Sequence, residues 1–302
     1  MRQLRFGLIG GGPWALRVHG PVLAAHPRAR LTGVWTRRPE AAAEMAARFG
    51  ARAHSELDAL LDAVDAVALA VPPRVQGELA VRAAAAGRHL ICEKPLADSV
   101  AGARAVAAAV DEAGVLSSLM LTLRHDQAVR DWLAGLPAGP HGSDVTGVAR
   151  WLSGSLLGGP YAGSSWRAEH GALFDIGPHV IDLMGAALGP VRAVDWAHRD
   201  EPDLWRIGLR HAGGAGSTTI LSMRLPIDPS DVEFAVFGRH GVARVGRSAD
   251  AATCFARLVD ELVAGIDGSG PPPPLDAAHG LALQELLDRI RLAVGDHSPQ
   301  SS

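Results

Sequence analysis

The segment His89-Leu90-Ile91-Cys92-Glu93-Lys94-Pro95-Leu96-Ala97 runs apolar for three residues, turns charged, and is closed by a proline. Such a run suits the carboxyl end of a buried parallel strand, where both faces are covered and a proline no longer interrupts a ladder. Lys94 is also the only lysine among 302 residues, the rest of the 29 Lys and Arg side chains being arginine. Asparagine is absent and Tyr161 is the only tyrosine, while Ala, Gly, Arg and Pro abound, a bias expected of a GC-rich genome. A lysine kept under that pressure points to a place where a guanidinium fork cannot replace a compact ammonium with a shiftable pKa. The alternative is an incidental surface lysine.

Working outward, the segment is one of a series. Leu4 to Ile9 is a short apolar run ending in Gly10-Gly11-Gly12, and Pro13-Trp14-Ala15 then opens a helical pattern. Strand, glycine turn and helix together aim free backbone N–H groups at a phosphate, in the form G-x-G-x-x-A, although a glycine turn also serves plain packing. Leu31 to Trp35 reads as a second strand, followed by Thr36-Arg37-Arg38 rather than by the Asp or Glu that would accept from a free ribose 2′-hydroxyl. Two guanidiniums can pair with a 2′-phosphate, which favours NADP(H) over NAD(H), with NAD(H) still possible; otherwise Arg37 and Arg38 are a solvated surface.

Glu40 to Phe49 is an Ala-rich helix stopped by Gly50, and Ser55 to Leu61 starts like a helix with Ser55 as cap. Val64 to Val71 is a third strand closed by Pro72-Pro73, and a helix follows over 76–86. A helix over 99–113 and a strand from Val115 to Leu121 complete the alternation, which marks an open, mostly parallel α/β sheet. Its ligand crevice lies at the carboxyl ends of the strands, where Gly10, Thr36, Pro72 and Lys94 all fall.

After residue 122 the grammar changes. A helix from Asp126 to Leu136 and a strand from Val145 to Leu152 precede a Gly/Ser-rich stretch reaching Ser165. Gly171 to Leu188 is a helical block, then strands cluster over 191–197, 204–211, 217–224 and 232–245, the last with a hairpin turn at Gly238-Arg239-His240-Gly241. Helices over Phe255 to Ile266 and Ala277 to Val294 finish the chain. The alternation of Trp205, Ile207 and Leu209 with Arg206, Gly208 and Arg210 suits a sheet with unlike faces. The expected division is 1–121 for a nucleotide-binding domain and 122–302 for an α+β domain on a mostly antiparallel open sheet. The terminal helix 277–294 is a candidate to pack near the domain junction.

Composition removes several classes. The formal charge is −3 with no long basic run, which argues against nucleic acid as a partner. No stretch of about eighteen residues lacks charges or breakers, so no membrane span is expected. Cys92 and Cys254 are too few for a disulfide framework or a metal site. No targeting segment precedes the first strand, which leads to an expected cytoplasmic location.

In Phe174-Asp175-Ile176-Gly177-Pro178-His179-Val180-Ile181-Asp182, helical spacing puts Asp175 and His179 on one face with Asp182 near it. A histidine there can move a proton near neutral pH and a carboxylate can orient it. The competing reading is a helix start with Asp175 as cap and His179 as a satisfied core residue. A zinc reading is weaker, since no Cys or second His stands at a familiar spacing.

Together these segments resemble the Gfo/Idh/MocA family of oxidoreductases. The resemblance is carried by Gly10-x-Gly12-x-x-Ala15 with His19, by Phe49-Gly50, Val71-Pro72 and Ala86-Gly87-Arg88-His89, and above all by Cys92-Glu93-Lys94-Pro95-Leu96-Ala97. Trp166-Arg167, Gly171-Ala172-Leu173-x-Asp175-x-Gly177-x-His179-x-Ile181-Asp182 and Asp276-Ala277-Ala278-His279 also match. It implies a Rossmann domain and a C-terminal α/β domain whose open sheet often joins oligomers, here a homodimer or homotetramer. The implied activity is hydride exchange between a nicotinamide cofactor and an alcohol or carbonyl carbon of a sugar, cyclitol or related polyol.

Carried over, Lys94 binds the reacting oxygen and the nicotinamide side of the site, His179 donates and accepts the proton, and Asp175 binds substrate and helps fix His179. Glu93 and Pro95 shape the turn beside Lys94. Gly10, Gly12, Pro13, Trp14, Thr36, Arg37, Arg38, Val71, Pro72, Glu93 and Lys94 are the expected cofactor contacts. Arg124, Tyr161, Trp166 and Arg167 join Lys94, Asp175 and His179 as substrate contacts. Two positions depart from the family pattern: Gln76 stands where a histidine is frequent, and Glu169-His170 replaces a glycine pair. The rival expectations are a transient-redox reaction, such as epimerisation or glycoside cleavage through a keto intermediate, and a non-catalytic nucleotide-binding protein.

Overall fold

The computed structural model describes residues 3–137, 141–158, 163 and 165–294. In chain order the elements begin with β1 (Leu4–Ile9), a π-helical turn (Ala15–His19), α1 (Gly20–Ala25), β2 (Ala29–Trp35), α2 (Pro39–Phe49), β3 (Arg52–His54), α3 (Leu57–Ala63) and β4 (Ala66–Leu69). They continue with α4 (Pro73–Ala85), β5 (His89–Cys92), α5 (Val100–Ala113), β6 (Ser117–Leu119), a 3₁₀ turn (Thr122–His125), α6 (Gln127–Gly135) and β7 (Thr146–Leu152). Then come α7 (Ser165–Asp175), α8 (Gly177–Leu188), β8 (Val191–Asp200), β9 (Leu204–His211), β10 (Gly216–Ser222), β11 (Asp231–Gly238), β12 (Gly241–Gly246), α9 (Ala251–Ile266) and α10 (Ala277–Ala293). Two compact units result, Met1–His125 with Asp250–Gln284, and Asp126–Ala249 with Glu285–Ser302.

The first unit holds a six-stranded parallel sheet in the order β3-β2-β1-β4-β5-β6. This is the Rossmann arrangement, with the strand order reversing between β1 and β4. Its central strands are mostly apolar because helices cover both faces: Phe6, Leu8, Ile9 and all four residues of β4 are wholly buried, and only Arg5 near the start of β1 carries a charge, paired with Asp65. Helix punctuation follows the residues. Pro39 opens α2 and Gly50, at φ +67°, ends it; Ser99 caps α5 by accepting from the Gly102 N–H, and Gly114 closes it. Ser55 is not the cap of α3. Glu56 occupies that position with extended backbone, while the Ser55 carbonyl accepts from Trp35 Nε1. Within the same unit α9 carries the wholly buried Phe255, Leu258, Val259 and Leu262, and Phe255 stacks on His19 with ring centroids 4.1 Å apart.

The second unit holds a six-stranded sheet in the order β12-β11-β7-β10-β9-β8. All neighbours are antiparallel except β7 and β10, which run parallel. The helix α8 lies on one face. Nearly every residue in it is buried, and a Cβ at Gly147 of β7 would come within 2.7 Å of the Leu188 side chain. The helical run Trp166–Leu188 has the length and apolarity of a membrane span, yet 83% of its apolar window is buried within the protein. Asp175 and His179 do not share one uninterrupted helix: α7 ends at Asp175, and α8 restarts at Gly177 with Pro178 in its first turn. Proline lacks the N–H that a continuing helix would need there.

Candidate functional site

The site is built from loops that follow the carboxyl ends of β1, β2, β4, β5 and β6, so parallel pairing brings them to one edge of the first sheet. At the end of β1, Gly10 adopts φ +123° and donates its N–H to the Trp35 carbonyl at 3.0 Å. A Cβ at Gly10 would fall 2.4 Å from the Ala70 carbonyl oxygen, so only glycine lets β1 and β4 approach at this turn. Gly12 is the opposite case. A Cβ there would meet nothing within 4 Å, and its carbonyl already accepts from Leu16 N–H as the helical turn begins. Pro13 is exposed and Trp14 half-buried beyond it. At the end of β2, the buried Thr36 donates its hydroxyl to the Arg38 carbonyl at 2.5 Å, while Arg37 and Arg38 are exposed. Val71 is half-buried and Pro72 exposed after β4; Arg124 is half-buried in the 3₁₀ turn after β6.

The segment after β5 is the most constrained of these. Lys94 is half-buried, and the Lys94–Pro95 peptide is cis. Glu93 Oε1 accepts from Trp14 Nε1 at 2.5 Å and lies 2.9 Å from His19 Nε2. The carboxylate therefore ties the lysine turn to the residue that leaves the glycine turn, so the sequence's two strongest motifs are one hydrogen-bonded unit. The neighbouring Cys92 thiol is pushed up to about 12 by burial and by the charge of Glu93, which leaves it an inert core residue and no nucleophile.

In the second unit, Arg167 Nε donates to Asp175 Oδ2 at 2.8 Å, and its guanidinium lies 5.9 Å from the Trp166 ring centroid. Trp166 stacks on His170 at 5.3 Å, and His170 meets Phe174 edge-on at 5.7 Å. Asp175, His179 and Asp182 are each 5% exposed, and the Trp151 ring tilts over His179 at 5.8 Å. Gly171 breaks α7 at φ +59°, ψ −157°, and the freed Ala172 N–H donates to both carboxylate oxygens of Asp203 at 3.0 Å. Burial raises the Asp203 carboxyl above the ordinary range against the donors that face it. Tyr161 lies outside the described residues. Among the described residues no group of three or more His, Cys, Asp or Glu side chains is disposed to hold a metal ion.

Sequence reasoning missed two residues that hold these segments in place. Asp203 comes from the turn between β8 and β9, far along the chain from Gly171, and nothing in its neighbourhood signals a capping role. Gln76 stood out only as a departure from a pattern, whereas it is wholly buried against the Lys94 turn.

Residues 4–121 match the model of an oxidoreductase family, Gfo/Idh/MocA, described as an NAD-binding Rossmann fold. A levoglucosan dehydrogenase of Pseudarthrobacter phenanthrenivorans is 32% identical over 211 residues, covering 65% of this chain and 54% of that protein. A dTDP-3,4-didehydro-2,6-dideoxy-alpha-D-glucose 3-reductase of Streptomyces violaceoruber is 34% identical over 198 residues, covering 63% and 56%. The chain thus spans little more than half the length of these curated relatives. Among solved structures, the WlbA dehydrogenase of Bordetella pertussis, in complex with NADH and UDP-GlcNAcA, superposes with a TM-score of 0.85 at 25% identity, covering 98% of both chains.

Proposed function

We propose that this chain is a Gfo/Idh/MocA oxidoreductase, the family whose model its residues 4–121 match, and that it exchanges hydride between a nicotinamide dinucleotide and an alcohol or carbonyl carbon of a sugar, cyclitol or related polyol. One observation carries the reading: the open face over Gly12 and the braced turn of Lys94 stand at one sheet edge, joined through Glu93 and Trp14. The names of the curated relatives, a levoglucosan dehydrogenase and a dTDP-sugar reductase, support a sugar-class substrate.

In this reading the glycine turn, Thr36 to Arg38, Val71-Pro72 and Glu93-Lys94 hold the dinucleotide. The NADH complex of the Bordetella protein supports NAD(H). The exposed Arg37 and Arg38, with no carboxylate at the end of β2, support acceptance of NADP(H) as well. When bound, the nicotinamide supplies or receives the hydride. Lys94 binds the reacting oxygen and stabilises negative charge on it through its ammonium. His179 takes the hydroxyl proton in oxidation and returns it in reduction, from its position one turn beyond Asp175. Asp175, held by Arg167, binds substrate and orients the imidazole; Arg124, Tyr161, Trp166 and Arg167 contact the rest of the sugar. Trp196, opposite Gly208 on β9, and Val148 and Ile220 fall on one half-buried face of the second sheet, which supports a homodimer or homotetramer.

The test is a panel of sugars, cyclitols, uronic acids and amino sugars with NAD(H) and NADP(H), read by nicotinamide absorbance. At least one substrate should turn over, and Lys94→Met and His179→Asn should each lower kcat by about 10²-fold or more while the dinucleotide still binds. Dinucleotide binding with no turnover across the panel, or full activity in His179→Asn, would overturn the proposal.

A further inference from the structure

Gln76 sits in the first turn of α4, fixed there by its N–H donating to the Pro72 carbonyl at 2.9 Å, and its side chain is wholly buried. Its amide faces the main chain on both sides of Lys94. Oε1 accepts the Glu93 N–H at 2.8 Å, while Nε2 lies 2.6 Å from the Glu93 carbonyl, 3.1 Å from that of Pro95 and 3.0 Å from that of Leu96. One side chain thereby serves backbone groups of three residues that flank the lysine. The helix is also pressed against the end of this turn, since a Cβ at Gly77 would lie 3.3 Å from Ala97 Cβ.

We propose that Gln76 is the positioning residue for Lys94: its amide clamps the 93–96 main chain so that the ammonium is presented from a turn that cannot rotate. The inference rests on the functional reading above, which places Lys94 at the reacting oxygen. The chemistry selects an amide. Three carbonyls need a donor and one N–H needs an acceptor at the same reach, and glutamine supplies both. Glutamate would set a carboxylate against the three carbonyls. Methionine of similar length would leave the buried Glu93 N–H without its acceptor. Histidine, with one donor and one acceptor, reproduces part of the pattern. Glu93 is independently held through its side chain by Trp14 and His19, so loss of Gln76 loosens the main chain of the turn without freeing the glycine loop.

The experiment compares Gln76→Met, Gln76→Asn and Gln76→His with wild type in kcat, KM, dinucleotide affinity and thermal midpoint, with Lys94→Met as control. A small misplacement of a reacting group costs up to about 10²-fold, so kcat should fall roughly 10- to 100-fold in Gln76→Met. Dinucleotide affinity should stay within about threefold of wild type, because the glycine turn is anchored separately. Histidine should recover much of the loss. A Gln76→Met enzyme that folds with unchanged kcat overturns the inference. So does a loss that falls on dinucleotide affinity and spares kcat. Where methionine prevents folding, Gln76→Asn decides: one methylene short of the turn, it should lower kcat, and full kcat overturns the inference. If Lys94→Met retains activity, the functional reading itself fails; if it is inactive while the Gln76 variants are not, only the clamp fails.

Discussion

Asp126 offers a sharp test of how the second unit is held. It is 1% exposed and caps α6, accepting from the Ala128 N–H at 3.0 Å through Oδ1. The same carboxylate accepts from the Ser248 hydroxyl at 2.7 Å, from the Ser248 N–H at 2.7 Å and from the Ala249 N–H at 2.8 Å. Burial alone pushes this carboxyl up, but the donors from Ala249, Ser248 and Ala128 outweigh it and hold the group below the ordinary carboxylate range. In Asp126→Ala the lost cap costs about 1 kcal/mol. The N–H groups of the exposed Ser248 and the half-buried Ala249 also lose their acceptor, and because water can partly replace it they cost about 0.5–1.5 kcal/mol each, for a sum of roughly 2–4 kcal/mol. At about 2–4 °C per kcal/mol for a unit of this size, the thermal midpoint should drop by roughly 4–16 °C. Asp126→Asn keeps one acceptor but turns its NH₂ toward the N–H donors, and should cost about half as much.

The pH dependence has a definite sign. With its folded pKa depressed, Asp126 contributes fully above its unfolded value of about 3.9, and the contribution is lost as pH falls through the lower folded pKa. Urea and thermal unfolding of wild type and Asp126→Ala at neutral and acid pH should therefore show a large gap that narrows in acid. A neutral-pH difference below about 0.5 kcal/mol would refute the reasoning, as would a gap that stays constant or widens in acid.

The other predictions concern the turns. Gly10→Ala forces a Cβ against the Ala70 carbonyl and should yield little folded protein, whereas Gly12→Ala, with open space at its Cβ, should fold normally and lose dinucleotide affinity; equal thermal midpoints for the two would contradict this. Asp203, with its carboxyl raised by burial, contributes stability below its unfolded pKa that is lost as pH rises through the folded value. Asp203→Asn keeps an acceptor for the Ala172 N–H, so unfolding measurements should show the variant gaining on wild type as pH rises from about 4 to neutral, and a slope of the other sign would sink the account. Replacing Arg37 and Arg38 together by serine should raise KM for NADP(H) severalfold and leave that for NAD(H) nearly unchanged; an unaltered ratio would remove the guanidiniums from cofactor choice.

The first sheet was legible because most of its strands carry short apolar runs bounded by glycine or proline, such as Leu8-Ile9 before Gly10 and Ala66–Leu69 before Pro72, a signal local to each segment. β3 was not: with only Arg52, Ala53 and His54, two of them exposed, it lacks the apolar signature and exists because β2 offers it an edge. In the second unit the strands could be read, but their order could not, since pairing β7 with β10 in parallel is set by packing over long chain separations. Asp175 and His179 announced themselves by spacing, and Pro178 between them was the visible sign that the helix restarts. Arg167 was found as a neighbour in the motif, but its pairing with Asp175 depends on how α7 turns at Gly171. Gln76 and Asp203 act through backbone groups, which leave no pattern in the side chains they serve.

The grouping of Asp250–Gln284 with Met1–His125 bears on how the protein can be made and cut. A nascent chain emerging from the ribosome holds the whole parallel sheet long before Phe255, Leu258, Val259 and Leu262 arrive to cover their part of it. A fragment truncated after His125 would leave His19 without its stacking partner and the receiving surface open to water, inviting aggregation. A permuted chain beginning at Asp250 and joined ahead of β1 would deliver the missing helix first. Expression yield of those two forms would report how much the first unit depends on residues translated more than a hundred positions after its sheet.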